Sequence, residues 1–435
     1  MDAMPDSEPT PPDSATPDPA SGRAVDAAEG VPPPDAGTEP TFASLAVPNY
    51  RKFFLGQAVS LAGTWMQSVA LAWLVLQLTG SATWLGLNIA VQTLPVLLVG
   101  PYAGVVVDRV DKRRLLVGTQ LVAAALALVL AVLTLDHRIT LAWVLVLSVL
   151  LGLVTAFDNP ARQAFVREMV PGRLVRNAVT LNSVVVNVAR AVGPAIGGVL
   201  IAWLGVGACF AFNAASFLAV VAAYLAMDVT QLRTPEPVQQ QSGQLRAGFA
   251  YVWRTPGLRV PLLMMALVGT LTYEFQVSLP ALVTGTFHDG ATALGWITAA
   301  MGVGAVVGGL VTAGRRGTGT RVVVAASAAF GAATLLLAVM PTVYAAAAAL
   351  LLVGAASIWF LSTGNATLQM TAEPQMRGRV MALWAVAFLG TTPVGGPAIG
   401  WVAQEVGPRW ALALGGVAAL VASAYGRWSL RRAGG

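Results

Sequence analysis

The stretch GPAIG at residues 193–197 is written again at residues 396–400, 203 positions later. The same shift lays Arg176 on Arg379, and each of these arginines stands just before an apolar run. Glycine, proline and alanine are common here, but a chance match would not keep its register across a whole apolar segment. Self-similarity at a fixed distance indicates an internal structural repeat. The chain is therefore predicted to consist of two similar halves.

The composition is that of a polytopic membrane protein. Hydrophobic residues make up 56% of the chain and charged residues 11%, whereas about a quarter of a soluble domain is charged. The apolar residues after Arg51 fall into runs long enough to cross a bilayer as helices, which satisfy their own backbone groups there. The predicted spans are 53–78, 83–106, 115–135, 140–160, 178–203, 207–227, 260–283, 291–313, 321–340, 343–364, 379–401 and 409–427.

These spans predict an all-α membrane protein with twelve transmembrane helices in two pseudo-symmetric six-helix halves, residues 46–228 and 260–435. The second half ends in a short basic tail. Two related halves of this kind are typical of secondary transporters, whose substrate site lies between the halves.

Two segments stand apart from the spans. Residues 1–45 are predicted to be a disordered cytoplasmic tail, because the first 41 residues hold nine acids, one base and many prolines, and such a segment buries too little apolar surface to fold. Residues 229–259 are predicted to be a cytoplasmic linker. Within it, residues 248–254 form a short amphipathic helix with Phe249 and Trp253 on one side, which suits the membrane surface.

The basic residues predict the orientation. With the N-terminus in the cytoplasm, the inner loops and flanks carry 22 Lys and Arg residues and the outer loops carry only Arg138 and Arg409. Such a bias places both termini in the cytoplasm. It also explains the net charge of +6 as a topology signal beside anionic lipid, so no nucleic-acid partner is expected. The expected location is the cytoplasmic membrane of a bacterium.

The loop between the second and third spans carries the sharpest local motif, GVVVDRVDKRR at residues 104–114. It resembles the signature of the major facilitator superfamily, a glycine, an Asp-Arg pair and a basic cluster in this same loop. The glycine permits close helix approach, and the aspartate can face a helix N-terminus or an arginine. The resemblance implies a cytoplasmic gate that latches the halves together. The predicted gate residues are Gly104, Asp108, Arg109, Asp111, Lys112 and Arg113.

The first copy of the repeat, extended to GPAIGG at residues 193–198, lies in the fifth span. It resembles the Gly-Pro motif of the antiporter branch of the superfamily, in which substrate leaves the cell against proton entry; ordinary helix packing is the alternative. Small residues allow tight packing, and proline bends a helix by removing a hydrogen bond. The predicted motif residues are Gly193, Pro194, Gly197 and Gly198.

Two further loops narrow the resemblance. Residues 159–165 (NPARQAF) and 376–381 (MRGRVM) are similar to the loops of a bacterial subgroup of twelve-span drug:proton antiporters that includes macrolide efflux proteins and the enterobactin exporter. The resemblance covers roughly residues 45–430. It implies export of small molecules, with no cofactor and no metal. A monomer is expected.

One acid and one base lie well inside spans. Glu274 is costly to bury as an anion, so it should be neutral, paired or facing a wet cavity, and we expect it to couple transport to protons. The alternatives are a structural ion pair and a position nearer the outer surface of the membrane. Arg190 lies three residues before the Gly-Pro pair. It has three candidate roles: holding an anionic substrate, pairing with Glu274, or anchoring the bent helix.

The substrate cavity is predicted from polar or adaptable side chains at membrane depth, which face protein or water rather than lipid. The predicted cavity residues are Gln57, Met66, Asn88, Gln92, Asn187, Trp359 and Asn365. Methionine repacks easily and would suit large amphipathic compounds, although a buried Met or Trp more often serves packing.

These observations predict a secondary transporter that exports amphipathic small molecules such as drugs, a siderophore or a secreted metabolite by proton antiport and alternating access. An uptake symporter for a nutrient is the alternative, with the same fold and the opposite direction. A receptor or scaffold that has lost transport is the third hypothesis. The chain carries no Gly-x-x-x-x-Gly-Lys-Ser/Thr phosphate loop, which argues against an ATP-driven pump, and no enzymatic activity is expected.

Overall fold

The structure is a computed structural model that describes residues 40–233, 244–313 and 317–433. Most of the predicted disordered tail (residues 1–39) and the linker loop at residues 234–243 lie outside the described residues. The described part is helical and contains no strand. It includes twelve helical segments long and apolar enough to cross a membrane. The predicted all-α fold with twelve spans is confirmed.

Six helices form the first half. They are α1 (Pro48–Thr79), α2 (Ala82–Arg109), α3 (Lys112–Leu135), α4 (Leu141–Met169), α5 (Val175–Leu204) and α6 (Val206–Leu225). Each corresponds to one predicted span, with ends that differ by five residues or fewer except at the end of α4, which continues nine residues beyond its predicted span. Helix α5 continues through Pro194.

Residues 244–313 and 317–433 contain nine helices, of which the first lies in the linker and the other eight form the second half. They are α7 (Gln244–Arg254), α8 (Pro256–Leu271), α9 (Phe275–Leu282), α10 (Ala291–Ala313), α11 (Thr320–Ala338), α12 (Val343–Thr371), α13 (Arg377–Leu389), α14 (Thr392–Glu405) and α15 (Pro408–Ala433). Helix α7 is the predicted amphipathic helix. It begins four residues earlier than expected.

Two of the predicted continuous spans are broken. The seventh span consists of α8, an irregular turn at residues 272–274, α9 and a π-helical turn at Val283–Phe287. The eleventh consists of α13 and α14. Pro393 explains that second break, because a proline ring clashes with the carbonyl four residues earlier, which is Leu389, the last residue of α13.

The two halves use the same packing scheme. In the first half α1 packs on α5, α2 on α4, and α3 on α6. In the second half the corresponding spans pair in the same way: α8 packs on α13 and α14, α10 on α12, and α11 on α15. The internal repeat in the sequence is therefore repeated in the helix pairing.

The halves touch mainly through two helix pairs, α5 with α10 and α2 with α14. The close approaches in both pairs lie toward the end of the bundle that carries the connections at 79–82, 204–206, 287–291 and 405–408. We call this the closed end. There the Ala82 amide donates to Gln404 Oε1 over 2.9 Å, and the Thr292 hydroxyl donates to the Gly198 carbonyl over 3.4 Å.

The opposite end, which carries the connections at 109–112, 169–175 and 371–377, is the open end. Helix α2 is in close contact with the other half near the closed end and has open space beside it toward the open end. A methyl group built on Gly86, near the closed end, would overlap the backbone of α14. Methyl groups on Gly100 and Gly104, toward the open end, would meet no other atom within 4 Å. The halves therefore diverge toward the open end.

The chain is ordered ahead of the first span. Residues Ala43–Ala46 form a 3-10 turn, although the sequence assigned them to the disordered tail. The Ser44 hydroxyl donates to Asn177 Oδ1 over 2.7 Å, and the Tyr50 hydroxyl donates to the Ala178 carbonyl over 2.7 Å. These bonds to the start of α5 hold the turn against the bundle, which corrects the predicted boundary of the tail.

Candidate functional site: a buried carboxylate at the contact between the halves

Glu274 lies at the break in the seventh span, as the residue that precedes α9. Its exposure is 4%, and its Oε1 atom has no hydrogen-bond partner among the described residues. Thr392, the first residue of α14, lies within hydrogen-bonding reach of the carboxylate. The break places the side chain against the start of α14, where it is shielded from lipid and water.

The second copy of the repeat forms the other wall of this site. A β-carbon on Gly395 would overlap the Thr270 carbonyl and lie 2.8 Å from Glu274 Oε1. A β-carbon on Gly396 would lie 3.0 Å from the Gly86 carbonyl of α2 and 3.7 Å from Glu274 Oε2. Only glycine lets three backbones meet at such distances. The Glu274 carboxylate therefore lies directly beneath the α2–α14 contact between the halves.

The first copy of the repeat occupies the equivalent place in its half. A β-carbon on Gly193 would lie 2.6 Å from the Ala62 carbonyl, and one on Gly197 would lie 3.2 Å from Met66, both on α1. A β-carbon on Gly198 would lie 2.9 Å from Gly295 of α10, across the halves. The two repeat regions thus make contacts of the same kinds. Gly193 and Gly197 of the first copy, and Gly395 just before the second, pack on the first span of their own half, whereas Gly198 just after the first copy and Gly396 of the second pack on a helix of the other half.

Arg190 lies on α5 one helical turn before this contact. Its guanidinium carbon is 5.0 Å from the centre of the Trp65 ring, a distance at which a cation is attracted to an aromatic face. Its Nε atom is buried without a partner among the described residues. Tyr273, the neighbour of Glu274 in sequence, is close enough to interact with it electrostatically.

Arg190 and Glu274 form no ion pair in the described part of the chain, where three ion pairs occur and neither residue takes part. The pairing role considered for Arg190 is therefore not observed in this conformation. The Tyr273 hydroxyl donates to the Ser357 carbonyl over 2.7 Å, which fixes its ring near Arg190.

A small polar chamber lies between α1, α2, α4 and α9. Its volume is about 40 Å³, enough for water and too small for a drug-sized molecule. Two predicted cavity residues, Asn88 and Gln92, line it together with polar residues of both halves. The polar lining consists of Thr64, Gln67, Ser68, Asn88, Gln92 and Gln276.

Hydrogen bonds hold the walls of this chamber. The Ser148 hydroxyl donates to Asn88 Oδ1 over 2.8 Å, and Asn213 Nδ2 donates to Gln67 Oε1 over 2.7 Å. The exposed Gln276 side chain is the contribution of the second half. The chamber therefore has fixed walls on α1 and α2 and a less constrained group on α9.

The other predicted cavity residues do not gather at this site. Met66 packs beneath Gly197, and Trp359 lines a separate apolar hollow between α10, α11 and α12. Asn187 Nδ2 donates to the Ser183 carbonyl of its own helix over 2.8 Å. Asn365 accepts a hydrogen bond from Gln369 one turn later.

Gln57 belongs to a buried network toward the open end. Its Nε2 donates to the Tyr224 hydroxyl over 3.0 Å, and its Oε1 accepts from Arg162 Nη1 over 3.2 Å. Arg162 in turn lies 3.8 Å from Asp158, which also accepts a hydrogen bond from Gln120 over 2.8 Å. Both polar ends of Gln57 are thus engaged within the first half.

Asp111, Lys112 and Arg113 of the gate motif each make a different contact. Asp111 caps α3 by accepting the Arg114 amide over 2.9 Å. Lys112 forms a 2.8 Å ion pair with Glu168 of α4, and both side chains are nearly buried. Arg113 Nε donates to the Tyr224 carbonyl at the end of α6 over 2.7 Å, where a cation also complements the helix dipole.

These contacts lie within the first half and fix α3 to α4 and α6. Asp108 and Arg109 are exposed at the end of α2. Close helix approach at Gly104 is not observed, because the halves are apart at the open end. In the described residues, no group of three or more His, Cys, Asp and Glu side chains is placed to hold a metal ion.

Sequence reasoning missed the residues around Glu274. Neither Gly395 nor Gly396 was connected to the carboxylate, and Gln276 was not considered as a cavity residue. The repeat contained the missing signal: if the first copy packs on the first span of its half, the second copy must pack on the seventh span, which carries Glu274.

Comparison with known proteins agrees with this architecture. The protein family described as "Transmembrane secretion effector" matches residues 39–432. The multidrug efflux pump Tap of Mycolicibacterium fortuitum is 30% identical over 77% of this chain and 84% of its own length. The staphyloferrin A transporter of Staphylococcus aureus is 25% identical, over 60% of this chain and 65% of its own length.

Solved structures with low sequence identity share the fold. A bacterial homologue of the human lysosomal transporter Spinster has a TM-score of 0.69 at 14% identity, covering 91% of this chain and 98% of that chain. A peptide transporter, POT, has a TM-score of 0.72 at 13% identity, covering 88% of this chain and 94% of that chain. The structural likenesses show the fold, and the family match with the similarity to Tap shows that the chain belongs to the transmembrane secretion effector family of the major facilitator superfamily and is a membrane transporter rather than an enzyme.

Proposed function

We propose that this transporter exports amphipathic small molecules across the bacterial cytoplasmic membrane in exchange for protons, with Glu274 as the proton site. The observation that carries the proposal is the position of Glu274, a buried carboxylate with an unpartnered oxygen beneath the α2–α14 contact. The ionisation state of Glu274 therefore affects whether the α2–α14 contact between the halves can close.

The orientation follows from the basic residues, 22 of which fall on the inner side against two on the outer side. This assigns the open end to the cytoplasm and the closed end to the outside. In this conformation the transporter is then open to the inside and sealed to the outside. A substrate dissolved in the cytoplasm or the inner leaflet can enter between the halves.

Proton coupling follows from the cost of burying a charge. A neutral Glu274 can be enclosed by Gly395 and Gly396, whereas an ionised carboxylate without a partner loses its hydration there. Protonation therefore favours the closed outer contact, and ionisation favours its separation. A ligand or proton shifts such an equilibrium by its differential affinity for the two states.

The transport cycle takes its direction from this difference, in which the neutral carboxylate favours the closed outer contact and the ionised one favours its separation. Substrate entering from the cytoplasm displaces the proton from Glu274. The ionised, loaded protein opens the outer contact and releases the substrate. A proton from outside then neutralises Glu274 and allows Gly395 and Gly396 to close over it again. One proton moves inward for each substrate that moves outward.

The substrate site we propose lies at the wall formed by Trp65, Arg190 and Tyr273. The Arg190 guanidinium has donors without ion-pair partners among the described residues and stacks on an aromatic face. An amphipathic molecule with an aromatic or apolar body and an acceptor group would satisfy both features. Gln276 and the water-sized chamber offer further hydrogen bonds.

The experiment is accumulation of labelled drugs and siderophores in inside-out membrane vesicles that generate a proton gradient. We expect at least one compound to accumulate, and collapse of the gradient to abolish the accumulation. Glu405→Gln is a matched control, because Glu405 is an exposed carboxylate at the end of α14, and it should transport normally. Uptake in right-side-out vesicles instead, driven by inward proton flow, would show that the protein is a symporter and overturn the proposed direction.

A further inference from the structure

A groove runs between α11 and α15 on the outer surface of the second half, toward the open end. It consists of two adjoining hollows of about 520 Å³ and 390 Å³, which share Arg427 and Arg431. Neither helix belongs to the two main helix pairs that join the halves. The groove therefore faces the surroundings of the bundle rather than the transport path.

The floor of the groove is a tight crossing of the two helices. The Ser423 hydroxyl donates to the Val324 carbonyl over 2.9 Å. A β-carbon on Gly426 would lie 2.5 Å from Val324 Cγ2 of α11, so the glycine lets the two helices pack closely here. Short side chains leave the groove open above the crossing. The apolar lining consists of Val324, Ala325, Ala328, Leu420, Ala424 and Leu430.

Three arginines close the groove at its open-end side: Arg321 in the first turn of α11, and Arg427 and Arg431 one helical turn apart on α15. None of them forms an ion pair with another described residue. The residues that line the two hollows include no carboxylate. Three cations with no counter-charge in the described structure, at the end of an apolar groove, require an anion that also has an apolar part.

Trp428 and Arg432 lie beside the groove. The Arg432 guanidinium carbon is 4.0 Å from the centre of the Trp428 ring, and the indole is about half-exposed. Tryptophan and arginine at the end of a span are typical of the membrane–water interface. This places the three arginines at headgroup depth.

We propose that the groove binds an anionic phospholipid, with the headgroup phosphate held by Arg321, Arg427 and Arg431 and an acyl chain lying along the apolar wall. Guanidinium groups bind phosphate oxygens in pairs, and basic pockets between transmembrane helices bind anionic headgroups. A free phosphate would satisfy the arginines but leave the apolar wall unfilled. The bilayer supplies an occupant that satisfies both.

The test is native mass spectrometry of the purified full-length protein titrated with phosphatidylglycerol or with phosphatidylcholine of the same acyl chains. We expect one phosphatidylglycerol to bind at least tenfold more tightly than phosphatidylcholine. Equal affinity for the two lipids in the wild type would overturn the proposal without any variant. Displacement of the bound lipid by millimolar inorganic phosphate would also overturn it, because the site would then be one for a small anion.

The variant is the triple replacement Arg321→Gln, Arg427→Gln and Arg431→Gln. At about fivefold per arginine at a membrane surface, it should weaken phosphatidylglycerol binding on the order of 100-fold. The control is Arg167→Gln with Arg176→Gln, which removes exposed arginines of the first half and should leave the affinity within about twofold. An equal loss in both variants would show nonspecific charge attraction and contradict a built site.

Discussion

Replacing Gly86 with alanine tests whether the α2–α14 contact seals the closed end. In this conformation the added methyl group would overlap the Gly396 carbonyl and lie 3.0 Å from the Pro397 Cα. Both neighbours are backbone atoms, so no side-chain rotation relieves the overlap. The halves must separate at this point, and the conformation that opens the closed end should gain population.

The magnitude follows from the cost of overpacking, about 1–3 kcal/mol. The gain in helix propensity from glycine to alanine, about 1 kcal/mol, applies in both conformations because α2 is helical in each, so it cancels. The ratio of the two conformations should therefore shift about 5- to 150-fold toward the one that opens the closed end.

The assay is a distance measurement between spin labels at Leu78 and Val406, two exposed positions at the closed end, one in each half. Cys209, the sole native cysteine, is replaced by alanine so that only these positions are labelled. We expect a short distance in the wild type and a longer one in Gly86→Ala. Gly118→Ala on α3 is the control, because a methyl group there meets no atom within 4 Å.

The reasoning is refuted if Gly86→Ala keeps the wild-type distance while remaining folded, or if Gly118→Ala lengthens it equally. The first result would show that the α2–α14 contact does not determine closure. The second would show that the distance reports a general loss of packing. Gly104→Ala, toward the open end, should leave the distance short.

Two further predictions follow from the charged groups. Arg190→Gln should raise the KM for a substrate with an anionic or acceptor group about tenfold, as expected for the loss of a charge-assisted hydrogen bond, with Arg190→Lys intermediate; an unchanged KM in vesicle transport would limit Arg190 to packing. Lys112→Met leaves the Glu168 carboxylate buried without its partner and should destabilise the protein by about 3–5 kcal/mol, measured by thermal unfolding in detergent. Arg114→Gln removes the exposed Asp111–Arg114 pair but leaves Asp111 to cap α3, so it should cost less than about 1 kcal/mol, and equal losses for the two pairs would contradict the burial argument.

The fold could be predicted from the sequence because each span had to be long and apolar on its own. Every predicted span corresponds to a helical segment of the structure. The repeat predicted two similar halves, and the helix pairing is the same in both. The breaks at residues 272–274 and 390–391 were not predicted, since each lies inside a run long and apolar enough to form one continuous span, although Pro393 could have indicated the second.

The site was predicted only in part. Glu274 and Arg190 could be found because charged residues inside apolar spans are rare and expensive to bury. Which polar residues surround them depends on helix rotation, and composition does not determine rotation. Gln57 and Gln67 illustrate the point: both are buried glutamines of α1, but one binds Arg162 toward the open end and the other lines the polar chamber.

The gate motif shows a second reason why the site was predicted only in part. Its lysine and arginines were predicted as contacts between the halves, but Lys112 and Arg113 bind within the first half. Those contacts depend on the ends of α4 and α6, which are distant in sequence. The partners of a charged residue in a loop could be identified only once the positions of the helix ends were known.

The most direct test of the account compares two modes of transport in Glu274→Gln. Exchange of labelled for unlabelled substrate across the membrane requires the halves to alternate but moves no net proton. Accumulation driven by a proton gradient requires a proton site. We predict that Glu274→Gln, whose side chain stays neutral and favours the closed outer contact, loses accumulation and exchanges substrate more slowly than the wild type, while Glu405→Gln keeps both. Gradient-driven accumulation by Glu274→Gln at the wild-type level would contradict the account, because proton coupling would then reside elsewhere.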